Sequence, residues 1–280
     1  MTGRGLCLWP KADILPRICG ELRRPEVERY IMLDLVLLFL AGLVGGALNA
    51  VAGGGTFITF PALVASGIPV VMANATSTIA AMPGYFSAAI GFLPELRQIE
   101  RRLLVRLTLQ TVIGGIIGSG LLLVSSNEIF AILVPFLLLG ATLAFICAAP
   151  LRNWAARNRN LVTPFGVGTM LPVAIYGGYF NGGLGIVLLA LFSLWGMTDL
   201  HQMNGLKNWL SFAISVIALV IFAAGGQIAW FACIVMSVGT IIGGYLGAPL
   251  SRRIPIPVLR ALIAVIGFGM TAVFFWRIIN

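Results

Sequence analysis

Acidic residues are scarce. Asp and Glu number nine among 280 residues, His201 is the single histidine, and Cys7, Cys19, Cys147 and Cys233 form no CxxC pair. A metal centre would need carboxylates, imidazoles or clustered thiols that the chain hardly holds. The cysteines read as isolated apolar or interfacial thiols. No GxxxxGK[ST] run occurs, so no phosphate-cradling loop for ATP coupling is expected within this chain. Nor can an acid–base pair or a Ser–His–Asp set be assembled, and neither an enzyme nor a cofactor is expected.

Charge of either sign is thin as well, at 10% of residues, against about 25% in a soluble domain. What is present is hydrocarbon: 59% of residues are hydrophobic and the mean hydropathy is +1.02. So little polar surface cannot coat a soluble core, and the expected solvent is the lipid bilayer. The apolar runs are continuous, so helices are expected; a β-barrel would alternate apolar and polar over strands of about 10 residues. The net charge of +9 sits mostly in short loops between apolar runs and is not interleaved with aromatics. It reads as a topology signal beside anionic lipid, with no nucleic-acid partner.

Residues 1–31 form a mixed-charge arm without the apolar stretch of a signal peptide. Met32 stands immediately before the first apolar run, so translation starting there would fit equally. Apolar segments follow at 31–52, 56–67, 70–92, 103–124, 129–147, 161–181, 184–196, 207–226, 230–250 and 258–276. Two of these, 56–67 and 184–196, fall short of the about 20 residues that a straight span needs. Each follows a glycine cluster. The expected organisation is a first repeat at 32–147, a basic cytoplasmic loop at 148–160 and a second repeat at 161–280.

Repetition is visible when "NAVAGGGTFITFPALVASGIPVVMANATS" (49–77) is laid on "YFNGGLGIVLLALFSLWGMTDLHQMNGLK" (179–207). Gly53 and Gly54 meet Gly182 and Gly183, Gly67 meets Gly196, and with one insertion Asn74 meets Asn204. "GGIIG" (114–118) and "GTIIG" (239–243) recur at matching places. Loop charge is reversed between the halves: 93–102 is basic and "SSNE" is not, whereas "GGQIA" is uncharged and the next loop carries Arg252, Arg253 and Arg260. Basic loops tend to stay cytoplasmic, so equivalent loops lie on opposite sides, as in an inverted-topology repeat. The fold class expected is an all-α polytopic membrane protein of two homologous, inverted halves, with eight full spans and two short half-helices. An eight-pass arrangement without inversion strands the arginines at 252–260 outside. Inversion places the N-terminus outside, which the basic arm resists unless translation begins near Met32.

Breaking a helix at membrane depth has a physical use. Irregular backbone survives there only where protein or a watery cavity surrounds it. A half-helix that starts at the break aims unpaired N–H groups and a partial positive charge inward, which suits an anion. Candidate binding residues are Asn49, Gly53, Gly54, Gly55, Asn74, Thr76, Ser77, Asn181, Gly182, Gly183, Asn204 and Lys207. The Asn, Ser and Thr among them can equally be plain helix caps. Lys207 can snorkel to the interface or serve as the fixed cation facing an anion. Asp199 and His201 are either an interfacial loop pair or a proton-coupling pair. The spacings Gly114–Gly118 and Gly239–Gly243–Gly247 allow close helix crossing, within the bundle or, as the weaker option, across a homodimer.

"LVGGALNAVAGGGTFITFPALVASGIPVVMANATSTIAA", echoed by "YGGYFNGGLGIVLLALFSLWGM", resembles the sulfite exporter TauE/SafE family of membrane permeases, over residues 32–280. The resemblance implies a transporter of the bacterial inner membrane that handles small sulfur anions such as sulfite, sulfoacetate and related sulfonates. The first glycine motif is complete. The second carries Leu184 where the first has Gly55, so the two half-sites need not contribute equally. The function expected is secondary transport of a small anion, by export through alternating access. A passive anion channel and a membrane subunit of a larger complex are the alternatives.

Overall fold

The structure, a computed structural model, describes residues 24–51, 53–147, 150, 163–250 and 256–279. The arm up to residue 23, nearly all of the 148–160 loop and the Arg252–Arg253 pair lie outside the described residues. Within them are eleven helices: α1 (Arg24–Val51), α2 (Thr56–Ala65), α3 (Val70–Gly91), α4 (Leu93–Leu96), α5 (Arg101–Val124), α6 (Asn127–Ile146), α7 (Val167–Tyr179), α8 (Leu184–Leu194), α9 (Leu200–Ala224), α10 (Trp230–Leu250) and α11 (Ile256–Ile279). No strand occurs among the described residues.

Two ends differ from the sequence expectation. The first helix begins at Arg24, seven residues ahead of the expected 31, and Pro25 suits a first helical turn because the N–H it lacks has no partner there anyway. The expected 161–181 segment shortens to the 13 residues of α7. Phe165 takes φ +58° and Gly166 is extended at ψ 149°, so helix cannot propagate back past Val167. Four stretches are long and apolar enough to cross a membrane by length and composition: Met32–Ala50, Arg101–Val124, Leu200–Ala224 and Trp230–Gly247.

The helices are apolar outside and turn their polar side chains inward, where these sit among an apolar core. On α5, Leu109, Ile113 and Ile116 face outward while Gln110, Thr111 and Ser119 are buried. Interior hydroxyls mostly satisfy themselves against the carbonyl one turn back, as Thr111 does on Leu107 at 2.7 Å and Thr142 on Leu138 at 2.7 Å.

Glycine lets backbones touch where the long helices cross. A Cβ on Gly46 would meet the Thr240 carbonyl, and one on Gly243 the Leu43 carbonyl, so α1 and α10 lie parallel and in backbone contact. The same holds for α5 and α7, where Gly114 meets Ala174 and Gly118 meets Ile175. Both small-residue stripes are therefore used inside the chain. At the centre α3 and α9 run antiparallel, with Phe86 and Phe212 centroids 5.0 Å apart and Phe92 and His201 6.2 Å apart. Helices α6 and α11 also run antiparallel, with Phe136 and Phe275 5.1 Å apart and Gly267 packed on Thr142.

The short helices fold back between these. Asn49 Oδ1 accepts the Gly55 N–H and Gly45 packs on Thr59, so α2 retraces α1. Thr59 and Ser77 hydroxyls at 2.7 Å then tie α2 to α3. Gly67 (φ +85°) and Gly196 (φ +88°) end α2 and α8 alike. In each, the following N–H reaches five residues back: Ile68 to the Leu63 carbonyl at 3.2 Å and Met197 to that of Phe192 at 3.0 Å.

Candidate functional site

At the first break α1 stops at Val51, and Gly53 closes it at φ +80° with its N–H 3.0 Å from the Leu48 carbonyl. Only glycine takes that left-handed geometry without a steric penalty. The Asn49 amide oxygen, 2.7 Å from the Gly55 nitrogen, clamps the returning strand of backbone. Any Cβ on Gly55 would strike the Gly45 carbonyl and the Asn49 side chain, so the glycines permit a reversal against the helix they have just left.

The second break leaves α7 at Tyr179. Asn181 stands at φ +55° and Gly183 at φ +71°, the latter as the N-cap of α8. The Tyr176 hydroxyl donates to the Gly182 carbonyl, while Gly182 packs on the Phe180 ring.

The two breaks touch. A Cβ on Gly53 would land on the Gly185 Cα, and one on Gly185 would land on the Gly53 Cα. Phe57 at the start of α2 lies against Gly183. Gly53 and Gly185, 132 positions apart in sequence, thus form one centre from bare backbone.

Lys207 lies under this contact. It is 0% exposed, and a Cβ on Gly185 would sit 3.0 Å from its Cδ, so it does not snorkel to the interface. Its Nζ donates to the Asn49 carbonyl at 3.0 Å, the Ala50 carbonyl at 3.4 Å and Asn204 Oδ1 at 2.8 Å. The ammonium caps the C-terminus of α1, where the helix dipole is negative. All three acceptors are neutral oxygens, so the positive charge is not cancelled by them. From the other half, Asn74 Nδ2 donates to the Tyr179 carbonyl at 3.0 Å and caps the end of α7 in the same manner.

Several polar atoms at this centre are buried and make no hydrogen bond within the protein: Asn49 Nδ2, Thr56 Oγ1, Asn74 Oδ1, and both Asn181 Nδ2 and Oδ1. Each such group typically costs about 1–3 kcal/mol. The fully buried Tyr85 phenol lies beside Thr56 and Asn181. The arrangement can offer amide and hydroxyl groups, together with the charge of one ammonium, to a small anion at one place.

Other candidates stand apart. Thr76 is spent on the Ala229 N–H at 3.0 Å, which fixes the turn before α10, and Ser77 is spent on Thr59. Asp199 is an exposed N-cap of α9, accepting from the His201 and Gln202 N–H groups at 2.8 and 3.3 Å. The exposed His201 ring stacks on Phe92. Both sit at the mouth of α9, one and a half turns or more before Lys207. Thr56, Tyr85 and Gly185 escaped the sequence reading; the nearest signal was the matching position of Gly185 and Thr56 behind the two glycine clusters. An apolar cavity of about 290 Å³ lies to one side, between α6, α7 and α8, lined by Phe136, Gly140, Pro172, Tyr176 and Val187 among others.

Comparison with known proteins agrees with this architecture. The profile of the family described as Sulfite exporter TauE/SafE matches residues 38–274. A "Probable membrane transporter protein" of Haemophilus influenzae is 31% identical over 239 residues, covering 85% of this chain and 93% of the relative. The "Probable membrane transporter protein YfcA" of Escherichia coli K12 is 27% identical over 245 residues, covering 85% and 88%. The "Probable membrane transporter protein ORF9" of a Sinorhizobium species is 25% identical over 239 residues, covering 84% and 90%. No solved structure matches the chain. These relatives are bacterial transporters, and multi-pass helices are the architecture of the inner membrane, where outer-membrane spans are barrels. The chain is a multi-pass inner-membrane protein and belongs to the TauE/SafE sulfite exporter family of membrane transporters.

Proposed function

We propose that this protein is a secondary transporter of a small oxyanion, sulfite or an organosulfonate, exported by alternating access between two inverted repeats. The observation that carries it is the contact of Gly53 with Gly185 above the buried Lys207 ammonium. An anion held there would meet the positive ends of the α2 and α8 dipoles, the amides of Asn49, Asn74, Asn181 and Asn204, and one fixed cation. Sulfite and sulfonates present three oxygens around one charge, which suits several neutral donors and one lysine. The relevant relatives are described as transporters, and the family's own description names sulfite.

Inversion is supported by direction. Helices matched by the repeat, α3 with α9 and α6 with α11, run antiparallel to each other. The main inter-half contacts pair off as well: α1 beside α10 answers α5 beside α7, and Lys207 on the end of α1 answers Asn74 on the end of α7. In this scheme α1, α3, α5, α6, α7, α9, α10 and α11 stand for the eight spans, α7 being shortened to 13 residues. Helices α2 and α8 each complete a fifth, discontinuous crossing, so that each half crosses an odd number of times as inversion requires. The first repeat ends at 147 and the second begins at 161. Two halves meeting through glycine backbone can rock about that contact and expose the site to either side in turn.

A thermal-shift screen of the purified chain tests the substrate class. Sulfite, thiosulfate, sulfoacetate and taurine are compared with simple carboxylates. Stabilisation by one of the sulfur anions, absent in Lys207→Ala and retained at least in part in Lys207→Arg, is expected. Equal stabilisation of wild type and Lys207→Ala would rule out the anion role of the lysine.

A further inference from the structure

One turn beyond Lys207, α9 carries polar groups that no part of the fold uses. Asn208 and Ser211 are each 0% exposed, and Asn208 Nδ2, Asn208 Oδ1 and Ser211 Oγ make no hydrogen bond within the protein. Ser211 is the telling case. Buried hydroxyls elsewhere in these helices fold back on their own backbone: Thr78 on the Asn74 carbonyl at 2.9 Å, Ser215 on that of Ser211 at 2.9 Å, Thr271 on that of Gly267 at 2.8 Å. Ser211 has the same option on Lys207 and leaves it unused.

Residues 204, 207, 208 and 211 follow a spacing of three and four, so Asn204, Lys207, Asn208 and Ser211 share one stripe of α9. The register of α3 against α9, set by Phe86 on Phe212 and Phe92 on His201, puts the buried Ala88 and Ala89 across from Asn208. The aliphatic side of the helix, Leu206, Leu210 and Ile214, packs elsewhere in an apolar cluster with Leu184 and Leu188.

We propose that Asn208 and Ser211 form a second, neutral donor surface for the transported anion, continuous with the Lys207 centre and lying between α3 and α9. This rests on the anion reading of that centre. Lys207 supplies the charge, while the Asn208 amide N–H and the Ser211 hydroxyl take oxygens that the ammonium does not reach. A head with three oxygens gains more from this surface than a carboxylate with two, so the pair sets specificity.

The test uses the full chain in proteoliposomes with Cys7, Cys19, Cys147 and Cys233 replaced by alanine. Asn208→Cys, Ser211→Cys and, as control, Leu210→Cys are treated with 2-sulfonatoethyl methanethiosulfonate, itself a small sulfonate. Modification at positions 208 and 211 is expected at least about tenfold faster than at 210, and sulfoacetate, which unlike sulfite does not react with the thiosulfonate, is expected to slow it. Equally slow modification at all three positions overturns the proposal, as does fast modification that no anion slows. Fast modification slowed by a carboxylate and not by sulfoacetate leaves this surface standing and removes sulfonates from the reading of the site. In transport, Ser211→Ala is expected to raise KM for the anion about tenfold, the loss of about one hydrogen bond, with Vmax within twofold. An unchanged KM contradicts the assignment.

Discussion

The Lys207 ammonium sits 3.0 Å from the carbonyl oxygen of Asn49, 158 positions earlier in the chain. One side chain of α9 therefore reaches the broken end of α1, at the point where the two glycine breaks touch. Lys207→Met keeps the aliphatic stem against Gly185 and removes the donor from two carbonyls and from Asn204. Hydrogen bonds to a charged group are worth about 1.5–3 kcal/mol each. The variant is expected to lose transport by at least about a hundredfold and to unfold at lower temperature in detergent. Wild-type transport in a folded Lys207→Met protein would show that the lysine is only a cap.

Backbone contact between the breaks makes a graded set of glycine substitutions informative. Gly53→Ala brings a Cβ onto the Gly185 Cα and also occupies a left-handed conformation. It is expected to abolish transport and to depress expression. Gly120→Ala meets nothing within 4 Å and removes backbone freedom from the interior of α5, so it is expected to be neutral or to stabilise by about 0.5–1 kcal/mol. Fluorescence-detected size-exclusion after heating checks both.

Much of this was legible in residues. The glycine triplet announced the first break because glycine takes a left-handed turn without steric penalty, and Asn49, Gly53 and Lys207 lie together there. Thr76 and Ser77 looked identical in kind yet are consumed by Ala229 and Thr59. Side-chain type alone does not say which partner reaches a hydroxyl first. Tyr85, Asn208 and Ser211 depend on which faces of α3 and α9 oppose each other, a register that the pattern of one helix does not carry. The shortened α7 came from backbone: an apolar run through Pro164 reads as a span, while Phe165 and Gly166 have already left helical geometry.

The crossing of α10 on α1 is expected to be as demanding as the site. Gly243→Val drives two methyls into the Leu43 carbonyl region, and overpacking of this kind costs typically about 1–3 kcal/mol. Gly118→Val, against Ile175, is expected to destabilise by a similar amount. Thermal unfolding of the two variants in detergent measures this, and an unaffected protein in either case would mean the helices can separate there freely.

Asp199 and His201 are expected to contribute little to coupling. Asp199→Ala removes an N-cap and should cost about 1 kcal/mol of stability, with the direction and pH profile of transport unchanged. His201→Gln should behave alike, since the ring is exposed against Phe92. Transport assayed across imposed pH gradients checks this, and a lost gradient response in either variant would return the pair to the mechanism.

Sulfite counterflow into proteoliposomes containing the full chain tests the central claim most directly. Saturable exchange that vanishes in Lys207→Met and persists in Gly120→Ala is predicted. Flux that rises linearly with sulfite, or exchange indifferent to Lys207, would contradict a carrier built on the meeting of the two breaks.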